Sequence, residues 1–314
     1  MKLRTLPIIG GLFYGAPQNY LNNVFQNRLG HQFVRYYFYN FLYAVRSKPR
    51  ISVQQEYIES LKKDGIVVWP DFFSPEEWGI IKKEFEAAKQ GIEPKAYYSK
   101  QNPGIKLANV NVSDQSETYR LITSNTTLND CASYIVNRDV KKYSPAISYM
   151  VINRDPDMDF DDDLENILHS DTFYPTAKAF VYLSEVSESN APYVYAKGSQ
   201  KFSFRRALHE YNMSIRVAQL EKGKVSHIPS AALTNRADRL RNIVTESQKK
   251  ALNIGETYYP GKENTMIMSN NRGFHRRGEF SKGTTREIIL ISYRYSSTSL
   301  LRRVLNKFIP HNKS

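Results

Sequence analysis

His169-Ser170-Asp171 is a short run with a definite geometric consequence. In an extended strand residues i and i+2 face the same side, so this imidazole and this carboxylate can reach one ion together. A distant histidine, His275, would complete two imidazoles and one carboxylate on one face of an octahedron. That donor set leaves three adjacent positions open, as a non-haem Fe(II) centre that activates O2 requires. Two open positions take a bidentate co-substrate and the third takes O2. Arg286, eleven residues beyond His275, offers a planar fork of donors to the far carboxylate of a dicarboxylic acid such as 2-oxoglutarate. Arg276 to Gly283 is turn-rich, and a hairpin there would fold Arg286 back beside the metal. The bland alternative makes His169 and Asp171 a surface pair and Arg286 an ordinary ion-pair partner. His31, His209, His227 and His311 have no motif context, and structural or solvated roles are expected for them.

The elements that must position these residues read as follows. Ile66 to Trp69 is a strand stopped by Pro70. Ser74, Pro75 and Glu77 announce a helix with a capping box, and Phe73 and Trp78 stand as its hydrophobic staple. From about residue 105 short apolar or β-branched runs alternate with turns: 118–123, 146–153, 177–183, 191–196, 265–269 and 286–295. Segments 204–221 and 230–252 look helical or irregular. Many short strands with few helices predict an α+β, mainly β fold of the jelly-roll (double-stranded β-helix, cupin-like) kind. The acidic run Asp155 to Asp163 fails the calcium-loop spacing, because Phe160 occupies the position that needs Gly, and reads as a solvated loop.

In order and spacing the chain resembles the phytanoyl-CoA dioxygenase family of Fe(II)/2-oxoglutarate oxygenases. Asp64-Gly65-Ile66-Val67-Val68 through Phe73-Ser74-Pro75-Glu76-Glu77 looks like that family's first strand and helix. His169-Ser170-Asp171 matches its proximal metal motif, and Asn190 to Lys201 is similar to its Asn-Gly-Pro-Leu…Pro-Gly-Ser-His-Lys stretch. Ala191, Lys197 and Gln200 depart from that stretch at its Gly, Pro and His. The resemblance covers about 56–296. It implies metal ligation by His169, Asp171 and His275, 2-oxoglutarate held by Arg286, and Phe180 near the co-substrate. It also implies Fe(II), 2-oxoglutarate and O2 as the reacting partners. The expected activity is hydroxylation of a C–H bond in a small-molecule or lipid-linked substrate. The competing class is a catalytically silent relative that uses the fold as a binding or membrane-docking module.

Composition narrows the rest. Hydrophobic residues are 41% and charged residues 24%, ordinary globular usage that excludes disordered and collagen-like classes. One cysteine excludes an internal disulfide framework. The net charge of +13 belongs to the ends: residues 1–55 carry seven Lys/Arg and no acid, and no acid follows Glu287. The chain therefore divides into a basic aromatic extension (1–55), expected to be helical, an oxygenase domain (56–296) and a basic tail (297–314). In the extension Phe25, Leu29, Phe33, Tyr37, Phe41 and Val45 recur every four residues, flanked by Arg28, His31, Arg35 and Arg46. Two readings stand: an interfacial helix at 20–50 on an anionic membrane, or a helix packed on the domain. No nucleic-acid motif is present, and the expected setting is cytoplasmic, with membrane association only under the first of these two readings.

Overall fold

The computed structural model describes residues 23–92, 96–98, 104–158, 164–220 and 242–293. The basic tail, the start of the extension, segment 230–241, His227 and part of the acidic run lie outside them.

At the N-terminal end, α1 (Val24–Arg28) and α2 (His31–Ala44) meet at Gly30, whose φ of 87° only glycine adopts without strain. The four-residue repeat predicted one helix; the glycine makes it two. A third helix, α3 (Gln55–Lys63), leads into β1 (Ile66–Trp69) and then α4 (Pro75–Ile92). The α4 capping box forms as expected, with Ser74 N–H donating to Glu77 Oε2 at 3.0 Å and Glu77 N–H to Ser74 Oγ at 3.2 Å. After β2 (Tyr97–Tyr98) and β3 (Ile105–Asn111) come two helices, α5 (Glu117–Ser124) and α6 (Thr126–Val136). The β-branched run 118–123 predicted a strand, and it is α5 instead. Its N-cap is Ser116, whose Oγ accepts from Tyr119 N–H at 3.1 Å, and Glu84 adds to the cap from outside by accepting from the N–H groups of Glu117 and Thr118 at 3.0 Å each.

The chain then passes between two antiparallel sheets. β4 (Ala146–Arg154), β6 (Ala177–Tyr182), β10 (Met266–Asn270) and β12 (Thr285–Tyr293) lie in a seven-stranded sheet, ordered β1-β10-β6-β12-β4-β3-β2. β5 (His169–Ser170), β7 (Tyr193–Tyr195), β8 (Asn242–Ile243), β9 (Thr257–Tyr259) and β11 (His275–Arg277) form the facing sheet, ordered β8-β5-β11-β7-β9. Two more helices, α7 (Phe204–Leu220) and α8 (Glu246–Leu252), interrupt the strand series. This alternation between facing sheets is the double-stranded β-helix expected from the strand pattern.

Both faces of the central strands of the larger sheet are buried, which is why β12 reads Ile-Ile-Leu-Ile without polar alternation. Ile289, Ile291, Ala179 and Val181 face outward against Phe85, Ile122 and Leu128 of the helices. Their neighbours Ile288, Tyr182 and Phe180 face inward, packing with Tyr193 and Tyr195 of the smaller sheet. Parity alone then sends Arg286 and Lys178 into the space between the sheets. The Asn190–Lys201 stretch is scaffold. Ala191 has φ 54°, a left-handed conformation that glycine adopts more easily. Gly198 N–H donates to Asp64 C=O at 2.9 Å, and Gln200 bridges to the end of α3 through the Lys62 carbonyl at 3.3 Å.

Candidate metal centre

His275 pairs directly with His169 across β11 and β5, so both imidazoles leave the same face of the smaller sheet. Their ring centroids are 4.8 Å apart. Each Nδ1 meets a backbone carbonyl, Ile167 C=O at 2.7 Å for His169 and Gly273 C=O at 3.1 Å for His275. A carbonyl only accepts, so Nδ1 carries the proton, and in the neutral rings Nε2 presents a lone pair. Both Nε2 atoms converge on Asp171 Oδ1, at 3.9 Å from His169 and 3.7 Å from His275. Three acceptor atoms thus share one small space, an arrangement that a cation stabilises and that otherwise repels itself. Ligands holding one ion at about 2.1 Å and right angles stand about 3 Å apart, so shifts under ~1 Å would seat it. The donor set fits a divalent transition ion.

The other carboxylate oxygen is fixed separately. Lys178 Nζ donates to Asp171 Oδ2 at 2.6 Å, and Asn271 Nδ2 donates to the same atom at 2.8 Å. Asn271 is held in turn by Ser269 Oγ at 3.0 Å, which lies 2.8 Å from the Tyr193 hydroxyl. Burial raises the Asp171 carboxyl, but the Lys178 ammonium outweighs it and holds the group well below the usual carboxylate range. Oδ2 is therefore occupied and Oδ1 is the atom turned toward the histidines. These supporting residues escaped the sequence reading. Lys178 had a signal, since one cation interrupts the apolar β6 run Ala-Lys-Ala-Phe-Val-Tyr. Asn271 had none, because its role depends on the turn after β10.

Arg286 lies opposite, 4% exposed, across a cavity of about 270 Å³ that also admits His169, Asp171 and His275. Its guanidinium carbon sits 5.8 Å from the Phe180 ring centre and 5.5 Å from that of Tyr182. Its Nε and Nη2 have no hydrogen-bond partner. Burial pushes the guanidinium pKa down, although the group stays cationic. A buried cation with donors left over is costly unless an anion meets it. The side chains predicted to form the site, His169, Asp171, His275, Arg286 and Phe180, all line this one cavity. The predicted hairpin does not bring them there: β11 and β12 lie in opposite sheets, and the turn carries the chain across the barrel.

Two further buried arginines stand outside the cavity lining, against the segments that carry the ligands. Arg206 Nη2 donates to Ser170 Oγ at 2.9 Å, between the two proximal ligands, and its Nε pairs with Glu210 at 2.9 Å. Arg272 binds the Gln200 carbonyl through Nε at 2.6 Å and Asn40 of α2 through Nη1. They brace the loops that carry the ligands.

No protein-family model matches the chain, and no curated protein does. Solved structures do resemble it. The structure of EctD from S. alaskensis with bound Fe matches at 13% identity and a TM-score of 0.47, covering 79% of each chain. HygX from Streptomyces hygroscopicus, with nickel and 2-oxoglutarate bound, matches at 14% identity and 0.43, covering 77% of this chain and 87% of that one. The non-haem alpha ketoglutarate dependent epimerase SnoN matches at 12% and 0.44, covering 78% and 86%. At TM-scores below 0.5 these likenesses carry no argument about chemistry; the converging side chains do.

Proposed function

We propose that this protein is an Fe(II)- and 2-oxoglutarate-dependent oxygenase that hydroxylates a C–H bond of a small-molecule or lipid-linked substrate, as the phytanoyl-CoA dioxygenase resemblance implies. One observation carries the proposal. Three acceptor atoms converge opposite a buried guanidinium with unpartnered donors, inside one cavity. His169, Asp171 and His275 would hold the metal on one face, leaving adjacent positions open. Arg286 would take the far carboxylate of 2-oxoglutarate through its Nε and Nη2 donors, the groups otherwise left orphaned. Bound iron and 2-oxoglutarate would supply O2 activation and the oxidising power.

The chain's own residues bind, orient and exclude water. Lys178 and Asn271 keep Oδ1 of Asp171 aimed at the histidines. The carbonyls of Ile167 and Gly273 keep each imidazole in the ligating tautomer. Ile152 and Ile288 wall the Arg286 end with apolar surface, which strengthens the charge pairing there.

The test is anaerobic addition of Fe(II) and 2-oxoglutarate to the purified protein. A weak visible charge-transfer band is expected, with succinate forming once O2 is admitted. His169→Ala or His275→Ala should abolish both. An unchanged band in either variant removes that residue as a ligand. Absence of band and succinate in the wild type leaves the binding-module alternative.

A further inference from the structure

We propose that the outward face of α1, α2 and the start of α7 docks on an anionic phospholipid bilayer. The inward face of these helices is already covered by the domain. Tyr36 and Tyr39 pack against Phe173, Tyr174 and Ala207. Asn27 Nδ2 donates to Ser214 C=O at 2.8 Å and the Tyr211 hydroxyl to Arg28 C=O at 3.0 Å. His31 and Arg35, expected to flank the apolar stripe in water, are buried in this packing at 7% and 0% exposure. The four-residue stripe is thus not the packed face. It splits, Tyr37 and Phe33 tucking partly in while Phe25, Leu29, Phe41 and Val45 point out, each 60% exposed or more.

The outward face is continuous along α2. Phe204 at the start of α7 meets the Phe33 ring edge-on at 6.0 Å, and Phe202 meets the Tyr37 ring edge-on at 5.1 Å. Fifteen large apolar side chains are exposed among the described residues, and eight belong to this one patch: the four above with Val34, Phe202, Phe204 and Leu208. Such a concentration marks an interaction surface.

Charge selects the partner. Arg28, Lys48, Arg50, Lys201 and Arg205 are exposed within or beside the patch. Over residues 23–54 and 197–220 the sequence has one carboxylate, Glu210, and it is buried against Arg206. A second copy of the chain would bring cations against cations with no carboxylate to receive them. Aliphatic Leu29, Val34 and Val45 give bases no stacking platform. Apolar side chains bordered by Arg and Lys suit the boundary between acyl chains and anionic headgroups. This inference does not depend on the metal centre.

The experiment is flotation of the full chain with vesicles of phosphatidylcholine alone and of equal parts phosphatidylcholine and phosphatidylserine. Wild type should float with the mixed vesicles and release in high salt. Phe25→Glu with Leu29→Glu, or Phe41→Glu with Val45→Glu, should each weaken partitioning about tenfold or more, since charge replaces insertable apolar surface. Lys201→Gln with Arg205→Gln, which keeps the apolar face, should lower only the phosphatidylserine dependence. Far-UV circular dichroism should be unchanged throughout, because every altered side chain is exposed. Failure of wild type to float, or apolar-face variants floating like wild type, overturns the proposal. A self-association that the same variants abolish reassigns the patch to a second copy and overturns it equally.

Discussion

Replacing Arg286 with methionine should move stability and ligand affinity in opposite directions. Arg286 is 4% exposed, and its Nε and Nη2 donate to nothing. A buried donor left unmade costs about 1–3 kcal/mol, more where the group is charged. The Phe180 and Tyr182 rings at 5.8 and 5.5 Å give part of this back, about 0.5–2 kcal/mol for cation–π contacts. Methionine keeps the length and the aromatic contact while removing the unmade donors. Without ligand the Arg286→Met protein should therefore be as stable as wild type or more stable by about 1 kcal/mol, a rise of about 2–4 °C in Tm. With 2-oxoglutarate the sign reverses. A charge-assisted pair to its carboxylate contributes about 1.5–3 kcal/mol, so the variant should bind about 10- to 150-fold more weakly. Anaerobic thermal denaturation with Mn(II), with and without 2-oxoglutarate, reads both effects, and calorimetric titration gives the affinity. A variant that loses more than about 2 kcal/mol without ligand, yet binds 2-oxoglutarate like wild type, would refute the reasoning, because the guanidinium would then be a structural pillar.

Two further outcomes follow from the surrounding residues. His209 is buried, its Nε2–H donating to Asn242 Oδ1 at 2.6 Å, and burial together with the Arg206 charge pushes its pKa down to about 4. Between that value and the ordinary one near 6.5 the unfolded chain binds the extra proton, so stability rises with pH across this window, by about 3 kcal/mol in total. Urea denaturation from pH ~4.5 to ~7 should show this slope flattened in His209→Gln. Asn271→Ala should weaken Co(II) or Mn(II) binding about tenfold, by leaving Asp171 Oδ2 to Lys178 alone and loosening the aim of Oδ1. Metal titration without co-substrate measures it, and unaltered affinity would mean that Lys178 suffices.

Much of the fold was legible along the chain because its signals are local. The α4 cap, the β1 strand and the apolar runs that became β6 and β12 follow from neighbours within a few positions. Where the deciding contact came from far away, local reading failed. The run 118–123 looks like a strand from its β-branched residues, yet Ser116 caps it locally as a helix and Glu84, more than thirty residues earlier, takes two further N–H groups of its first turn. The turn after His275 looks like a hairpin, yet it crosses between sheets, which no local pattern encodes.

The site divides along the same line. Residue type and spacing offered two imidazoles, a carboxylate and an arginine as candidates, since coordination chemistry limits which side chains can serve and strand parity limits where they point, and the family resemblance chose among the alternatives. Only the tertiary structure could pair His275 with His169, lock each Nδ1 on a carbonyl, and set Lys178 and Asn271 on the unused oxygen of Asp171. It also decided which face of the N-terminal helices is buried. An amphipathic stripe states that apolar surface exists, whereas the partner that covers it is chosen by packing, here by Phe173, Tyr174 and α7 against Tyr36 and Tyr39.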